Sequence, residues 1–220
     1  MTAVSPLLHA IQGRDLAAAM SALERDPSQA TTEIPGGLSP LMFALYNGAH
    51  DIAGLLKGYR PLNLYEAASF GDAHRVAELV IADKTLLKSF SPDGWTALHL
   101  AAFFGQRDTL LTLIGLGAPL DEVSQNPIQN TPMHAAIAGA GAERLAPLMI
   151  ALGADITYVG GSGVSALHLA ASRGLESLCK LLLNRGANRL ARTEDGKTAA
   201  ELARDRSHLA TAAMLELAIN

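Results

Sequence analysis

The chain has 220 residues, of which 49% are hydrophobic and 17% charged, and a formal net charge of −4 at pH 7. A sequence this apolar can bury a large core, which argues against intrinsic disorder. Its mild acidity argues against a dedicated nucleic-acid binder, because such proteins need a basic face for phosphate groups. The single cysteine, Cys179, excludes an intramolecular disulfide and fits a reducing compartment.

The start of the chain does not resemble a targeting segment. Residues 1–16 include Arg14 and Asp15 instead of a charged start followed by an apolar run. The sequence also lacks a stretch of about 18 uncharged apolar residues, the length that a membrane span requires. We therefore expect a cytoplasmic protein without a membrane partner.

A repeated motif is weak in the first part of the chain and clear in the second. Weak copies read LSPLMFA at 38–44 and LYEAASFGD at 64–72, and residues 7–13 are a more degenerate candidate. The clear copies read GWTALHLAA at 94–102, NTPMHAA at 130–136 and GVSALHLAA at 163–171. Their histidines, His99, His134 and His168, are 35 and 34 residues apart. Such a fixed period is typical of a repeat architecture.

The pattern resembles the ankyrin repeat family, whose units carry Gly-x-Thr-Pro-Leu-His-x-Ala-Ala and end in Gly-Ala-Asp. The match is strongest over residues 91–191, and the last block has Glu201 in place of the histidine. The resemblance implies an all-α solenoid of stacked helix-turn-helix units with β-turn or hairpin loops. We predict one domain over 1–220 with about seven repeats, the outer ones degenerate. Their approximate bounds are 5–33, 34–60, 61–90, 91–123, 124–158, 159–191 and 192–220.

The local sequence agrees with paired helices. The residues that precede the first helices are typical N-caps: Thr96, Thr131, Ser165 and Thr198. The predicted second helix at 176–184 places Leu178, Leu181 and Leu182 on one face. One such pair cannot bury its apolar face alone, so neighbouring pairs are expected to stack. The longer step between His99 and His134 predicts an extended, mobile turn near residues 125–129.

Three patterns suggest other chemistry, and each has a simpler interpretation. Stacked helices lie about 8–10 Å apart, so the repeat histidines cannot share one zinc ion at about 2.0–2.1 Å. The resemblance implies instead that each histidine bonds to a neighbouring turn. Residues 191–198 fit a relaxed phosphate-loop pattern, but Glu194 and Asp195 would repel phosphate. Cys179 lies among leucines, which favours a buried apolar role over a nucleophile. We expect no metal, no cofactor and no enzymatic activity.

Five of the ten aromatic residues occupy positions that face outward in the ankyrin family, on the concave helices and the turn tips. They are Tyr46, Phe70, Trp95, Phe103 and Phe104. Clustered exposed aromatics are typical of protein-binding hot spots. We therefore predict that stacking aligns them into a stripe, with Trp95 exposed at a turn tip as the main contact. The alternative left open is that Phe70 and Phe103 belong to the core.

These observations predict a non-enzymatic, monomeric module that binds a protein partner through its concave face and turn tips. The alternative is a regulatory subunit or inhibitor that occludes the active site of a partner enzyme. The two hypotheses differ only in the identity of the partner.

Overall fold

The computed structural model describes residues 5–217, which form fourteen α-helices in seven consecutive pairs. The first helices of the pairs are α1 (Pro6–Gly13), α3 (Pro40–Tyr46), α5 (Leu64–Phe70), α7 (Ala97–Phe103), α9 (Pro132–Ala138), α11 (Ala166–Ser172) and α13 (Ala199–Asp205). The second helices are α2 (Leu16–Arg25), α4 (His50–Leu56), α6 (Ala73–Ala82), α8 (Arg107–Gly115), α10 (Ala142–Ala151), α12 (Glu176–Asn184) and α14 (Leu209–Leu217). One pair lies within each predicted range, while the repeat count and bounds stay predictions.

The pairs stack in chain order and form two layers. Helix α7 packs against α5 and α9, and α11 packs against α9 and α13, so the first helices form one layer. In the other layer, α6 packs against α8, and α12 packs against α10 and α14. Apart from one bridge between Val159 and Ser165, residues 5–217 contain no β-structure. The predicted all-α solenoid is therefore confirmed.

Polar N-caps begin most of the first helices. Thr96, Ser165 and Thr198 each accept a hydrogen bond from the N–H of the third helical residue, as predicted. Thr131 occupies the corresponding position of α9 but accepts no such bond. Its hydroxyl lies 2.8 Å from Nδ1 of His134, the same distance as between the corresponding atoms at the starts of α7 and α11. The α9 start therefore differs from those of α7 and α11 in lacking this backbone cap bond.

A glycine after most first helices returns the chain onto the second layer. Gly105 and Gly174 have φ values of 75° and 69°, in the left-handed region that glycine adopts without a Cβ penalty. The apolar faces of both layers then bury one continuous core. Cys179 is part of this core and is fully buried, as the sequence predicts.

The connection between α8 and α9 is longer than its neighbours, as predicted. It covers residues 116–131, two residues more than the connection between α10 and α11. The N–H of Gln125 donates to the Gly94 carbonyl at 2.9 Å, and the N–H of Gly161 donates to the Ile128 carbonyl at 2.8 Å. These bonds anchor the long turn to the turns on both sides. They argue against the mobile segment expected from the sequence.

Candidate functional site

Four of the five predicted site residues form a cluster at the ends of α3 and α7. The ring centroid of Phe103 lies 5.1 Å from that of Trp95 and 5.2 Å from that of Phe104. The Tyr46 ring lies 5.3 Å from Phe104 and 6.2 Å from Phe103, although α5 separates α3 from α7. We call Tyr46, Trp95, Phe103 and Phe104 the aromatic cluster. Offset and edge-to-face contacts at such distances are favourable.

Phe70 does not join these ring contacts within the described part of the chain. It is the seventh residue of α5, as Tyr46 is of α3 and Phe103 is of α7. Its ring instead lies below the ammonium of Lys57, 4.8 Å from the ring centroid. Lys57 is held there by Asp72, 3.2 Å away. Phe70 therefore makes a cation–π contact and not a ring–ring contact, while its place in the predicted stripe stays a prediction.

Trp95 is buried, with 8% of its surface exposed, so the prediction of an exposed turn tip is wrong. The Ser91 hydroxyl accepts from the Trp95 N–H at 3.1 Å, and the Ser91 N–H donates to the Trp95 carbonyl at 2.8 Å. This closed turn directs the indole back onto α7, where it stacks on the His99 ring at 6.0 Å. Trp95 therefore supports the aromatic cluster from beneath.

Tyr46 is the most exposed member of the aromatic cluster. Its hydroxyl donates to the carboxylate of Asp93, which also accepts from the Ser91 hydroxyl. Burial and the neighbouring Asp93 raise the pKa of Tyr46, so the phenol stays protonated and keeps donating. Phe103 and Phe104 are half-buried. The cluster thus presents partly exposed rings whose positions are already fixed.

Two of the three repeat histidines bond to the following turn, as predicted. Nε2 of His99 lies 2.9 Å from the Asn130 carbonyl, and Nε2 of His168 lies 3.1 Å from the Ala191 carbonyl. In each ring, Nδ1 accepts from the backbone N–H of the N-cap residue, so the proton belongs on Nε2. Burial lowers the pKa of His99 to about 4 and also lowers that of His168. Both rings are therefore neutral at pH 7.

His134 breaks this pattern. It is 2% exposed, and its Nε2 has no hydrogen-bond partner among residues 5–217. The ring meets Tyr158 edge-on, with centroids 5.7 Å apart. Burial lowers the pKa of His134 to about 4, and the nearby Val164 backbone offsets that lowering only in part. His134 therefore contacts the following turn, as predicted, through the Tyr158 ring and the Val164 backbone, but it forms no hydrogen bond there that parallels those of His99 and His168.

The described residues contain neither a cluster of metal ligands nor an ionised cysteine. Among residues 5–217, no group of three or more His, Cys, Asp or Glu side chains could hold a metal ion. Burial, aided by Glu176, raises the pKa of the Cys179 thiol to about 12, so it is protonated at pH 7. No helix within the described range is long and apolar enough to cross a membrane.

Comparison with known proteins decides the family. A family model of ankyrin repeats, built from three copies, matches residues 64–159 and again residues 133–218. The chain belongs to the ankyrin repeat family. Ankyrin repeats are generic protein–protein interaction modules, and the family is generally non-enzymatic.

The relatives share the repeats within much longer proteins. A Transient receptor potential cation channel subfamily A member 1 homolog of Caenorhabditis elegans is 34% identical over 145 residues, 66% of this chain and 12% of that protein. A putative ankyrin repeat-containing protein of Treponema pallidum is 37% identical over 95 residues, 43% of this chain and 31% of the relative. Neurogenic locus notch homolog protein 1 of Xenopus laevis is 29% identical over 194 residues, 88% of this chain and 7% of the relative. The chain thus spans less than a third of the length of each.

Proposed function

We propose that the chain is a monomeric, non-enzymatic module that binds a partner protein through the face formed by its first helices and the adjacent turn tips. The aromatic cluster is the proposed anchor. The observation that carries this proposal is the half-exposed group of Tyr46, Phe103 and Phe104, whose ring centroids lie 5.2 to 6.2 Å apart. Aromatic residues are enriched at the centres of protein interfaces.

The fixed positions of these rings support a binding role. Asp93 holds the Tyr46 hydroxyl, and buried Trp95 supports the ring of Phe103 from beneath. Side chains that are already ordered lose little conformational freedom when a partner binds. A protein partner fits the chain better than a nucleic acid, because the net charge is −4. Phe70 contributes to the same face at its edge in this proposal.

Affinity capture with matched variants tests the proposal. Tyr46→Ala combined with Phe104→Ala removes exposed parts of the cluster, while Tyr59→Ala removes another aromatic side chain that is 40% exposed and lies outside it. We expect the double variant to bind the captured partner at least about tenfold more weakly, or about 1.4 kcal/mol. The Tyr59→Ala control should bind like the parent. Equal affinity of all three proteins would contradict the proposed surface.

The partner's identity separates the two forms of the hypothesis. If the captured protein is an enzyme, its activity is measured with the parent chain and with the double variant. Inhibition by the parent alone indicates occlusion of an active site, while unchanged activity indicates a scaffold or adaptor.

A further inference from the structure

A pocket of about 570 Å³ lies beside the aromatic cluster and opens to solvent. Three successive first helices contribute Phe103, Ala138 and Leu169 to its lining, and the intervening turns contribute Ile128 and Val164. Pockets that hold small organic groups have volumes of about 300–1,000 Å³. Among the described residues that line it, none carries a charge at pH 7, because its histidine, His134, is neutral. The pocket therefore suits an uncharged, largely apolar group.

The pocket exists because α9 lacks a large side chain at one position. The seventh residue is Tyr46 in α3, Phe70 in α5 and Phe103 in α7, but Ala138 in α9. Ala138 is exposed and lines the pocket next to Phe103. The row of large rings thus stops where the space begins. An aromatic ring supplied from outside would continue the row and would contact Phe103.

Unpaired polar groups on three of the lining residues favour a ligand with a peptide group. Five buried side-chain polar atoms lack a hydrogen-bond partner among residues 5–217, and three of them belong to the lining: Nε1 of Trp95, Oδ1 of Asn130 and Nε2 of His134. An indole N–H only donates and an amide oxygen only accepts. Leaving such a buried group unpaired costs about 1–3 kcal/mol. A peptide group offers both the acceptor and the donor that these atoms lack.

We propose that this pocket binds an uncharged aromatic side chain of the partner polypeptide together with the adjoining peptide group. This inference rests on the proposed protein-binding function and names the chemistry recognised there. The ring fills the space over Ala138 between Phe103 and Leu169. The peptide carbonyl accepts from Trp95 or His134, and the peptide N–H donates to Asn130, after small rotations of these side chains. A charged side chain is disfavoured, because the lining offers no counter-charge.

The sole tryptophan of the chain lines the pocket, which makes the test direct. The probe is N-acetylphenylalaninamide. The matched compounds are N-acetylalaninamide and the α-amide of N-acetylglutamic acid, which keeps a charged side chain. Binding is followed through the NMR signal of the Trp95 indole N–H. We expect a saturable shift with the phenylalanine compound at millimolar concentration and at least about tenfold weaker binding of the other two. No saturable shift, or equal binding of all three compounds, would overturn the proposal.

A substitution that restores the missing ring locates the site. Ala138→Phe fills the pocket from within and should weaken binding of the phenylalanine compound at least about tenfold. Ser172→Phe adds the same ring at the seventh position of α11, outside the pocket lining, and should leave binding unchanged. If Ala138→Phe does not fold, Ile128→Asp places a charge at the rim, where Ile128 is 60% exposed. It should also weaken binding. Binding that survives the pocket substitution overturns the assignment.

The outcome is separable from that of the protein-binding proposal. If the Tyr46→Ala, Phe104→Ala variant loses the partner and the phenylalanine compound does not bind, the protein-binding function stands and the pocket proposal is overturned. If the compound binds specifically but the double variant captures the partner as well as the parent does, the proposed surface is overturned and the pocket proposal stands.

Discussion

The third residue of the first helix is buried in both α5 and α7, but the two helices fill it with different chemistry. Helix α5 lies in the half of the stack with weak copies of the motif, and α7 begins the half with clear copies. In α5 this residue is Glu66, which is 1% exposed and forms two hydrogen bonds with Arg60, at 2.7 and 2.8 Å. In α7 it is the neutral His99, which lies 2.9 Å from the Asn130 carbonyl. The same position in the repeat is thus stabilised by an ion pair in α5 and by an uncharged ring in α7.

The two side chains also connect the stack in opposite directions. Glu66 accepts from the hydroxyl of Ser39 at 2.5 Å, which links it to the preceding helix pair. His99 bonds to a carbonyl in the turn that leads to the following pair. The comparison teaches that residues as different as glutamate and histidine can link neighbouring pairs from this position. It also predicts that the halves respond differently to substitution and to pH.

The largest effect is expected from removing Trp95, an aromatic side chain that is buried, in contrast to Phe70, which is partly exposed. Trp95→Ala should lower the free energy of unfolding by about 3–5 kcal/mol, because it removes a buried aromatic ring and leaves a cavity. Phe70→Ala should lower it less, since Phe70 is half-buried. Denaturant unfolding followed by circular dichroism measures both. A larger loss for Phe70→Ala would contradict the burial of Trp95.

The next effect tests the ion pair itself. Glu66→Ala should cost about 3 kcal/mol, because it leaves the partly buried Arg60 without its partner. The matched control is Glu201→Ala, at the same position of α13, where the side chain is 45% exposed and 3.3 Å from Arg192. An exposed pair contributes less than about 1 kcal/mol. Similar losses for the two variants would show that burial does not distinguish them.

Acidification should weaken the histidine half. The folded-state pKa of His134 is about 4, below the ordinary value of 6.5, so the unfolded state binds its proton first as pH falls. The stability that the neutral His134 ring contributes is fully present above pH 6.5. It falls as the pH drops from 6.5 to about 4 and is lowest below about pH 4. The slope is about 1.4 kcal/mol per pH unit, or about 2 kcal/mol of loss at pH 5.

A histidine variant isolates this contribution. His134→Gln should reduce the dependence of unfolding free energy on pH by about that slope between pH 6.5 and 4, relative to the parent chain. Unfolding midpoints in denaturant, measured at intervals of half a pH unit, give both slopes. An unchanged slope in His134→Gln would mean that this ring is solvated in the folded chain.

The sequence predicts the helix pairs well because each pair is built from local signals. A small N-cap residue, an apolar helix and a closing glycine recur at one period, and all lie within a few residues of one another. The repeat pattern does not single out Glu66, because the clear copies are recognised by their histidine. Asn63 followed by Glu66 is nevertheless itself a helix-start signal. A search for polar residues at this position of every copy would have found it.

The candidate site was harder to predict because its geometry depends on contacts between repeats. Tyr46 meets Phe104 from a helix two pairs away, and Phe70 turns toward Lys57. Trp95 turns inward because Ser91 closes the preceding turn. The pocket over Ala138 arises only when three helices are stacked. The residue types were visible in the sequence, but their exposure was not.

The smallest effect concerns the helix starts of the two halves. Asn63 Oδ1 accepts from the Glu66 N–H at 2.9 Å, whereas the Ser165 hydroxyl accepts from the His168 N–H at 3.4 Å. Asn63→Ala should therefore cost about 1 kcal/mol, the usual value of a well-formed cap. Ser165→Ala should cost less, because its cap bond is longer and Nδ1 of His168 keeps the Ser165 backbone N–H at 3.2 Å.

Thermal and denaturant unfolding of both alanine variants give the difference, with Asn63→Ser as the control that keeps a capping oxygen. Because serine caps about as well as asparagine, Asn63→Ser should remain within about 0.5 kcal/mol of the parent. A loss in Ser165→Ala that equals or exceeds that in Asn63→Ala would show that the histidine repeats depend on their caps as strongly as α5 does. In that case the two halves would differ in the chemistry of the third helical residue but not in how their first helices begin.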